Sequence, residues 1–286
     1  MVKIGNVSSA YFGLDDYRQG MPMMKEHGYD AFDFQEFMST SSPLYVLPDE
    51  ELEKKLHDIR DAAAENGLEI YQLHSIWPTA GDQTEEGRQK SLWYYRRSIL
   101  GAKHLGCKRV VVHPWMIHGW SNGTREEFFE VNVRLMKELM PTARECGVYV
   151  CLENMPFRKG QPFSTTEEWL AVIKEVNDEY ACACLDTGHL NVMEEDPYAC
   201  VCALGESLQA LHVHDNYAYI DMHLFPYQGD FAWDSFIRGL REIHFDGCIS
   251  LETIVKKPVP DSAKQPMQKA LANIAKAIAM QVEEGR

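Results

Sequence analysis

Carboxylate and imidazole side chains end a series of short apolar segments in this chain. The stretch from Cys182 to Asn191 runs through apolar residues to Asp186 and, after a Thr-Gly turn, to His189. The same arrangement recurs where other apolar segments end, at His74, His113, Glu153, His212 or His214, and Glu252. Carboxylates and imidazoles bind divalent metal ions and transfer protons, so one shared site is predicted if these ends meet.

Eight apolar segments have the length and residue types of β-strands. They are bounded by Gly, Asn, Pro or charged residues and comprise Val2–Ser8, Tyr29–Phe37, Leu68–His74, Arg109–His113, Val148–Glu153, Ala181–Asp186, Leu208–His214 and Gly247–Thr253.

Segments with apolar residues at three- and four-residue spacing alternate with these strands and predict helices. Thr124 and Thr165 are each followed by glutamates in the positions of a capped helix start, and Gly28, Gly67 and Gly147 follow helix ends. The predicted helices are Asp15–His27, Pro48–Asn66, Thr84–Leu105, Thr124–Cys146, Thr165–Asn177, Pro197–Glu206, Trp233–His244 and Ser262–Glu283.

Eight alternations of strand and helix predict an α/β fold in which a parallel sheet closes into a (β/α)8 TIM barrel. The chain of 286 residues suits one such barrel, so a single domain is expected over residues 1–286. An open doubly wound sheet is the alternative. It is disfavoured because no Gly-x-Gly-x-x-Gly turn follows the first strand.

The active site of a TIM barrel lies at the C-terminal ends of its strands. Buried charges are costly unless they are paired or bound to metal, so the polar strand ends are expected to form one site. A shell of carboxylates with an imidazole suits Mn²⁺, Mg²⁺, Co²⁺ or Zn²⁺. Glu153 and Glu252 come from different sides of the barrel. If both flank a sugar bound to the metal, one can remove a proton from carbon while the other returns it.

Six short motifs carry a resemblance to a known family. As a set, extending along the whole chain, they resemble the sugar phosphate isomerase/epimerase family of xylose isomerase-like TIM barrels, in the AP endonuclease family 2 superfamily. The motifs are Val-Val-His-Pro (111–114), Leu-Glu-Asn (152–154), Leu-Asp-Thr-Gly-His (185–189), His-Val-His-Asp-Asn (212–216), Asp-Met-His-Leu (221–224) and Ser-Leu-Glu (250–252).

This resemblance implies a (β/α)8 barrel with one divalent ion, manganese first among the candidates, held by Glu153, Asp186, His212 and Glu252. It also implies that Glu153 and Glu252 exchange a proton through an enediolate of a sugar or sugar phosphate and that His189 helps to hold the substrate. A lyase or dehydratase using the same enolisation is chemically adjacent.

The same superfamily includes the endonuclease IV type, which cleaves abasic DNA with three zinc ions. Its ligand pattern can also be placed on this sequence, at His74, His113, Glu153, Asp186, His189, His212, Asp221, His223 and Glu252. Beyond the four ligands named above, the further candidates for metal or substrate binding are His74, His113, His189, His214, Asp221 and His223. Residues 216–220 contain no basic residue, and Met222 stands where that type has Arg. Cations that would contact phosphate are therefore missing, which makes a nucleic-acid partner the less favoured reading.

The substrate is less well defined than the metal ligands. The Arg that characterised epimerases carry after the seventh strand has no counterpart here. Trp115, Arg158 and Lys256 are the candidate substrate-binding residues. Trp77, Trp120, Phe157, Phe225 and Tyr227 also follow strand ends, where they could stack on a sugar or cover a subunit contact in a homo-oligomer.

Composition narrows the class of protein further. A net charge of −15 opposes non-specific binding to nucleic acid. The eight cysteines lie mostly in apolar runs without a Cys-x-x-Cys pair, as expected for reduced core residues. No leader or membrane-spanning run is apparent, so we expect a cytoplasmic protein with no membrane partner.

Overall fold

The computed structural model describes residues 1–77, 84–116, 123–256 and 258–284. Within these ranges the strands are β1 (Lys3–Val7), β2 (Ala31–Phe34), β3 (Glu69–His74), β4 (Arg109–Val112), β5 (Tyr149–Glu153), β6 (Ala181–Asp186), β7 (Leu208–His212), β8 (Asp215–Tyr217), β9 (Ile220–Leu224) and β10 (Cys248–Leu251). Eight of them pair in parallel in the order β10-β1-β2-β3-β4-β5-β6-β7.

The sheet closes between β7 and β10. The amide of Val213 donates to the Ser250 carbonyl at 2.8 Å, and the amide of Glu252 donates to the Val213 carbonyl at 3.1 Å. The predicted (β/α)8 TIM barrel is therefore confirmed.

Helices connect the strands on the outside of the barrel. They are α1 (Tyr17–His27), α2 (Asp49–Glu65), α3 (Glu85–Leu105), α4 (Arg125–Cys146), α5 (Thr166–Val176), α6 (Thr187–Met193), α7 (Pro197–Leu204), α8 (Trp233–Glu242) and α9 (Asp261–Glu283). Thr124 and Glu127 form a reciprocal capping box at the start of α4, and Gly28 and Gly147 end α1 and α4 in the left-handed conformation, as predicted.

The largest departure from the predicted elements follows β7. The expected strand Leu208–His214 ends at His212, and the chain then forms an antiparallel hairpin of β8 and β9. The sequence did not indicate this hairpin because β8 has only three residues and β9 is partly exposed, which leaves no clear apolar alternation. Helix α6, which begins directly after β6, was also missed.

The barrel interior below the polar strand ends is filled by small side chains. Val111, Cys151, Cys182, Cys184 and Ala210, from four neighbouring strands, form one buried cluster. All eight cysteines are free, six of them buried, as the sequence predicted for small core residues.

No helix within the described ranges is both long and apolar enough to cross a membrane.

Candidate functional site

Strand alternation places the predicted residues on the inward face of the barrel. Successive side chains of a strand point to opposite sides, so a residue two positions after an inward-facing one also faces inward. Cys151 is followed in this way by Glu153, and Ala210 by His212. The short, small-residue strands thus end in polar groups directed at the barrel axis.

Glu153 lies at the centre of a first group of side chains, which we call the glutamate cluster. Its Oε1 atom lies 2.8 Å from His212 Nδ1, and its Oε2 atom lies 2.7 Å from His113 Nε2 and 3.6 Å from His74 Nε2. His212 Nδ1 also lies 3.6 Å from Glu252 Oε2. The glutamate cluster consists of His74, His113, Glu153, His212 and Glu252.

A second group, the aspartate cluster, adjoins the first. Asp186 Oδ2 lies 3.0 Å from His214 Nε2, while Asp221 Oδ2 lies 3.2 Å from His223 Nε2 and 3.5 Å from His189 Nε2. The aspartate cluster consists of Asp186, His189, His214, Asp221 and His223. His189 Nδ1, 3.7 Å from both Glu153 Oε1 and Asp186 Oδ1, joins the two clusters.

Backbone carbonyls fix the orientation of three imidazoles. The Nδ1–H groups of His74, His189 and His223 donate to the carbonyl oxygens of Ser75, Asn154 and Glu252 at 2.7, 2.8 and 2.9 Å. Because a carbonyl only accepts, the proton lies on Nδ1 in each ring. Nε2 is left to face a carboxylate, which is the arrangement that prepares a histidine to bind metal.

The charges of the two clusters shift one another's protonation. Burial raises the pKa of Glu153, but the imidazoles of His212 and His113 outweigh it and hold the pKa well below its ordinary value. Burial lowers the pKa of His189, yet the carboxylates of Asp186 and Asp221 raise it to about 10. His113 behaves differently, because burial dominates and lowers its pKa to about 4 despite Glu153. The site therefore combines ionised carboxylates with charged and neutral imidazoles.

Both clusters border a cavity of about 130 Å³ at the C-terminal end of the barrel. Its walls combine carboxylates and imidazoles with an apolar side, and Trp77 packs against the His113 ring at 4.4 Å between centroids. The described lining residues are Met38, His74, Trp77, His113, Glu153, Met155, Pro156, His189, Asp221, His223 and Glu252.

The side chains present fit a divalent cation. Asp221 Oδ1 is buried and accepts no hydrogen bond within the described chain, and Glu153 Oε2 is buried with only the ring nitrogens of His113 and His74 within 4 Å. Unpartnered buried carboxylate oxygens are costly, and a cation would compensate them. Carboxylate and imidazole donors together suit Mn²⁺, Mg²⁺, Co²⁺ or Zn²⁺.

The predicted catalytic and metal-binding residues differ in whether they line the cavity and in which cluster they belong to. Glu153, Glu252 and His189 line the cavity, whereas Asp186 and His212 are fully buried beside it. Glu153, His212 and Glu252 share the glutamate cluster, and Asp186 belongs to the aspartate cluster together with His214. All of the further predicted ligands, His74, His113, His189, His214, Asp221 and His223, lie in one of the two clusters.

The predicted substrate-binding residues do not line the cavity. Trp115 is buried in the apolar core. The Arg158 guanidinium lies 3.5 Å from the Tyr219 carbonyl, and Lys256 Nζ donates to the Met222 carbonyl at 2.8 Å, so both cations hold the β8–β9 hairpin. Of the aromatic candidates, Trp77 lines the cavity and Phe157 is buried. Phe225 packs on the core, Tyr227 packs on Trp233, and Trp120 lies outside the described residues.

Three polar residues of the site are not predicted from the sequence. Asp33 and Gln72 lie inside strands β2 and β3, which read as apolar runs, and Asn154 was noted only as part of a motif. A single buried polar residue between apolar neighbours, as in Phe32-Asp33-Phe34, is the signal that could have identified Asp33.

Comparisons with known proteins agree with this architecture. The family model described as "Xylose isomerase-like TIM barrel" matches residues 23–277. A D-psicose 3-epimerase of Enterocloster bolteae is 28% identical, with 84% of this chain and 77% of that protein covered. An uncharacterised protein of Methanocaldococcus jannaschii is 29% identical, with 90% and 85% covered. The crystal structure of a D-tagatose 3-epimerase-like protein superimposes with a TM-score of 0.76 at 26% identity, over 98% of both chains. The chain belongs to the xylose isomerase-like TIM-barrel family.

Proposed function

We propose that this member of the xylose isomerase-like TIM-barrel family is a divalent-metal-dependent isomerase or epimerase of an uncharged sugar. The observation that carries the proposal is the pair Glu153 and Glu252. They face one cavity from the ends of β5 and β10, with His212 Nδ1 2.8 Å from the first and 3.6 Å from the second. The epimerase among the relatives supports the same class of reaction.

Glu153, Asp186, His212 and Glu252 would hold the ion, with Mn²⁺ the first candidate. When bound, a divalent ion supplies electrostatic stabilisation of the negative charge that develops on the oxygen atoms of a ketose as a proton leaves the adjacent carbon.

The two glutamates would move that proton. Glu153 is ionised at neutral pH because its pKa is held well below the ordinary value, so it can accept a proton from carbon. Glu252 reaches the cavity from another side of the barrel and would deliver a proton taken from solvent to the opposite face of the enediolate, after which Glu153 would release its proton to solvent. His189 lines the same cavity and would donate a hydrogen bond to a substrate hydroxyl.

The composition of the described cavity lining favours an uncharged sugar over a sugar phosphate. Its described lining contains three carboxylates, those of Glu153, Asp221 and Glu252, and neither lysine nor arginine. Residues 78–83 and 117–122 contain no lysine or arginine, and Lys257 lies outside the described residues. Arg158 and Lys256 are engaged with carbonyls of the hairpin. A phosphate would thus meet neither lysine nor arginine, the side chains that most often bind it, among the described lining residues.

Exchange of a substrate hydrogen with solvent tests the proposal. The Mn²⁺-loaded protein is incubated in D₂O with D-psicose or D-tagatose, and NMR follows loss of the C3–H signal and appearance of the epimer. We expect exchange with wild-type protein and a loss of roughly 100-fold or more in Glu153→Gln and Glu252→Gln. Glu206→Gln, at the opposite end of the barrel, is the matched control and should retain the exchange.

Several outcomes would change the assignment. If a glutamine variant exchanges the substrate hydrogen as fast as wild-type protein does, the glutamate that it replaces does not transfer the proton. A product that has lost water would identify a dehydratase that uses the same proton removal. Faster turnover of ketose phosphates than of free ketoses would overturn the uncharged-sugar assignment.

The convergence of the two clusters favours a second candidate, a trinuclear zinc endonuclease acting at abasic sites. His74 and His113 with Glu153 form one set of donor atoms, and His214, Asp221 and His223 form another. Elemental analysis of protein purified without added metal or chelator separates the candidates. A His57→Ala/His104→Ala variant should be used, because Glu53, His57 and His104 form a separate, partly exposed set of donor atoms on α2 and α3. About three zinc ions with cleavage of abasic DNA would establish the endonuclease, and about one ion without cleavage supports the epimerase.

A further inference from the structure

Asp33 is a buried carboxylate at the barrel end that has no place in the proposed chemistry. It belongs to β2, its side chain has no exposed surface, and it lies outside the cavity lining. Its Oδ2 atom accepts a hydrogen bond from His212 Nε2 at 2.9 Å. Burial of a carboxylate is costly unless it is paired, so the side chains that contact Asp33 indicate its role.

His212 is oriented differently from the other imidazoles of the site. His74, His189 and His223 direct Nε2 at a carboxylate and donate from Nδ1 to a backbone carbonyl. His212 directs Nδ1 at Glu153 and Glu252 and donates from Nε2 to Asp33. A carboxylate partner makes an imidazole a more basic ligand than a carbonyl partner does.

Asp33 is itself held in position. Gln72, which has no exposed surface, donates from Nε2 to Asp33 Oδ2 at 3.1 Å and to the Leu211 carbonyl at 3.2 Å. Leu211 immediately precedes His212, so Gln72 fixes the carboxylate and the backbone of its partner together. The ring stack of His74 on His212, with 5.3 Å between centroids and 7° between planes, restricts rotation of the imidazole further.

We infer that Asp33 is a positioning residue that holds the Nε2–H group of His212, so that Nδ1 is the nitrogen that gives up its proton and presents a lone pair between Glu153 and Glu252 to the divalent ion. Asp33 acts through His212 and touches neither ion nor substrate. The inference rests on the metal site of the proposed function. It extends that site with a residue from β2, a strand that contributes no ligand of its own.

Metal affinity tests the inference with a readout that is independent of activity. The dissociation constant for Mn²⁺ is measured by isothermal titration calorimetry for wild-type protein, Asp33→Asn and Asp33→Ala. Asn keeps the shape and one acceptor oxygen but removes the charge, whereas Ala removes both. We expect the dissociation constant to rise about 10-fold for Asn and up to about 100-fold for Ala.

Asp30→Asn provides the control, because it makes the same chemical change on the exposed side just before the same strand. It should bind Mn²⁺ as the wild type does. Circular dichroism and melting temperature verify that each variant folds, and Asp33→Asn keeps the test decisive if Asp33→Ala does not fold. A dissociation constant of Asp33→Asn within twofold of wild type would overturn the inference, even if the melting temperature falls. If wild-type protein binds no divalent ion, both this inference and the metal-dependent function are overturned.

Discussion

Asn154 and Asp186 hold each other through a reciprocal pair of hydrogen bonds. The Asp186 amide donates to Asn154 Oδ1 at 2.7 Å, and Asn154 Nδ2 donates to the Asp186 carbonyl at 3.0 Å. Asn154 follows the central glutamate of one cluster, and Asp186 belongs to the other. The backbone carbonyl of Asn154 also receives the Nδ1–H group of His189. One amide side chain therefore links the ends of β5 and β6, beyond the last residues of their ladder.

Asn154→Ala should lower the free energy of unfolding by about 2–3 kcal/mol, because it leaves the buried amide and carbonyl of Asp186 without partners. Urea denaturation measures the change. Gln209→Ala removes an amide that reaches only the exposed Glu206 carbonyl, and should cost no more than about 0.5 kcal/mol. Equal effects of the two substitutions would show that the Asn154 bridge adds no stability.

Gly188→Ala should displace the His214 ring. A Cβ atom at Gly188 would lie 1.9 Å from His214 Cε1, far inside van der Waals contact. We expect a loss of about 1–3 kcal/mol in unfolding free energy, together with weaker metal binding if the contact of His214 with Asp186 is broken. Gly13→Ala is the control, since its Cβ would meet nothing closer than 3.7 Å. A Gly188→Ala protein as stable as wild type would mean that the His214 ring can move aside without a measurable loss of stability.

Binding of Mn²⁺ should release protons at pH 7. Burial lowers the pKa of His212, but Cys184 and the carboxylates of Glu252 and Glu153 raise it well above the ordinary range. The metal-free imidazole is therefore protonated and must lose a proton before Nδ1 can bind an ion. Affinity should accordingly be higher at pH 8 than at pH 6. Titration calorimetry in two buffers of different ionisation enthalpy measures the release, and identical apparent enthalpies would contradict it.

Stability of the metal-free protein should fall as the pH rises above neutrality. The pKa of His189 is raised from its ordinary 6.5 to about 10 in the folded chain. Its contribution is fully present below about pH 6.5 and is lost as the pH rises through about 10. Melting temperatures measured with a chelator should decline across this window, and less steeply in His189→Gln. Parallel declines in the two proteins would assign the pH dependence to other groups.

Substitution of Arg158 or Lys256 by an uncharged residue should change kcat/KM little. Arg158 and Lys256 contact carbonyls of the β8–β9 hairpin and lie outside the cavity lining. We expect Arg158→Met and Lys256→Met to keep kcat/KM for a free ketose within about threefold, a change of less than 1 kcal/mol in transition-state binding. Steady-state kinetics provides the measurement. A loss of more than tenfold, confined to KM, would place that cation in the substrate site.

The sequence by itself determined the barrel and most of the polar residues at its C-terminal end. Two periodicities were sufficient for this, because helices repeat every 3.6 residues and strands every two, and eight alternations of them have few ways to fold. A residue such as Glu153, which ends an apolar run, could be recognised because parallel strands must bring their C-terminal ends to the same rim.

The tertiary structure alone decided how those residues divide into clusters. His212 and His214 are two residues apart and share a motif, yet the first contacts Glu153 and the second Asp186. The difference arises because β7 ends at His212 and the chain turns into the hairpin, which the local sequence does not encode. The place of Asp33 and Gln72 in the site could not be predicted from the sequence for a related reason. Asp33 pairs with His212, 179 positions later in the chain, and Gln72 pairs with Leu211, 139 positions later. Only closure of the barrel brings β2 and β3 close to β7.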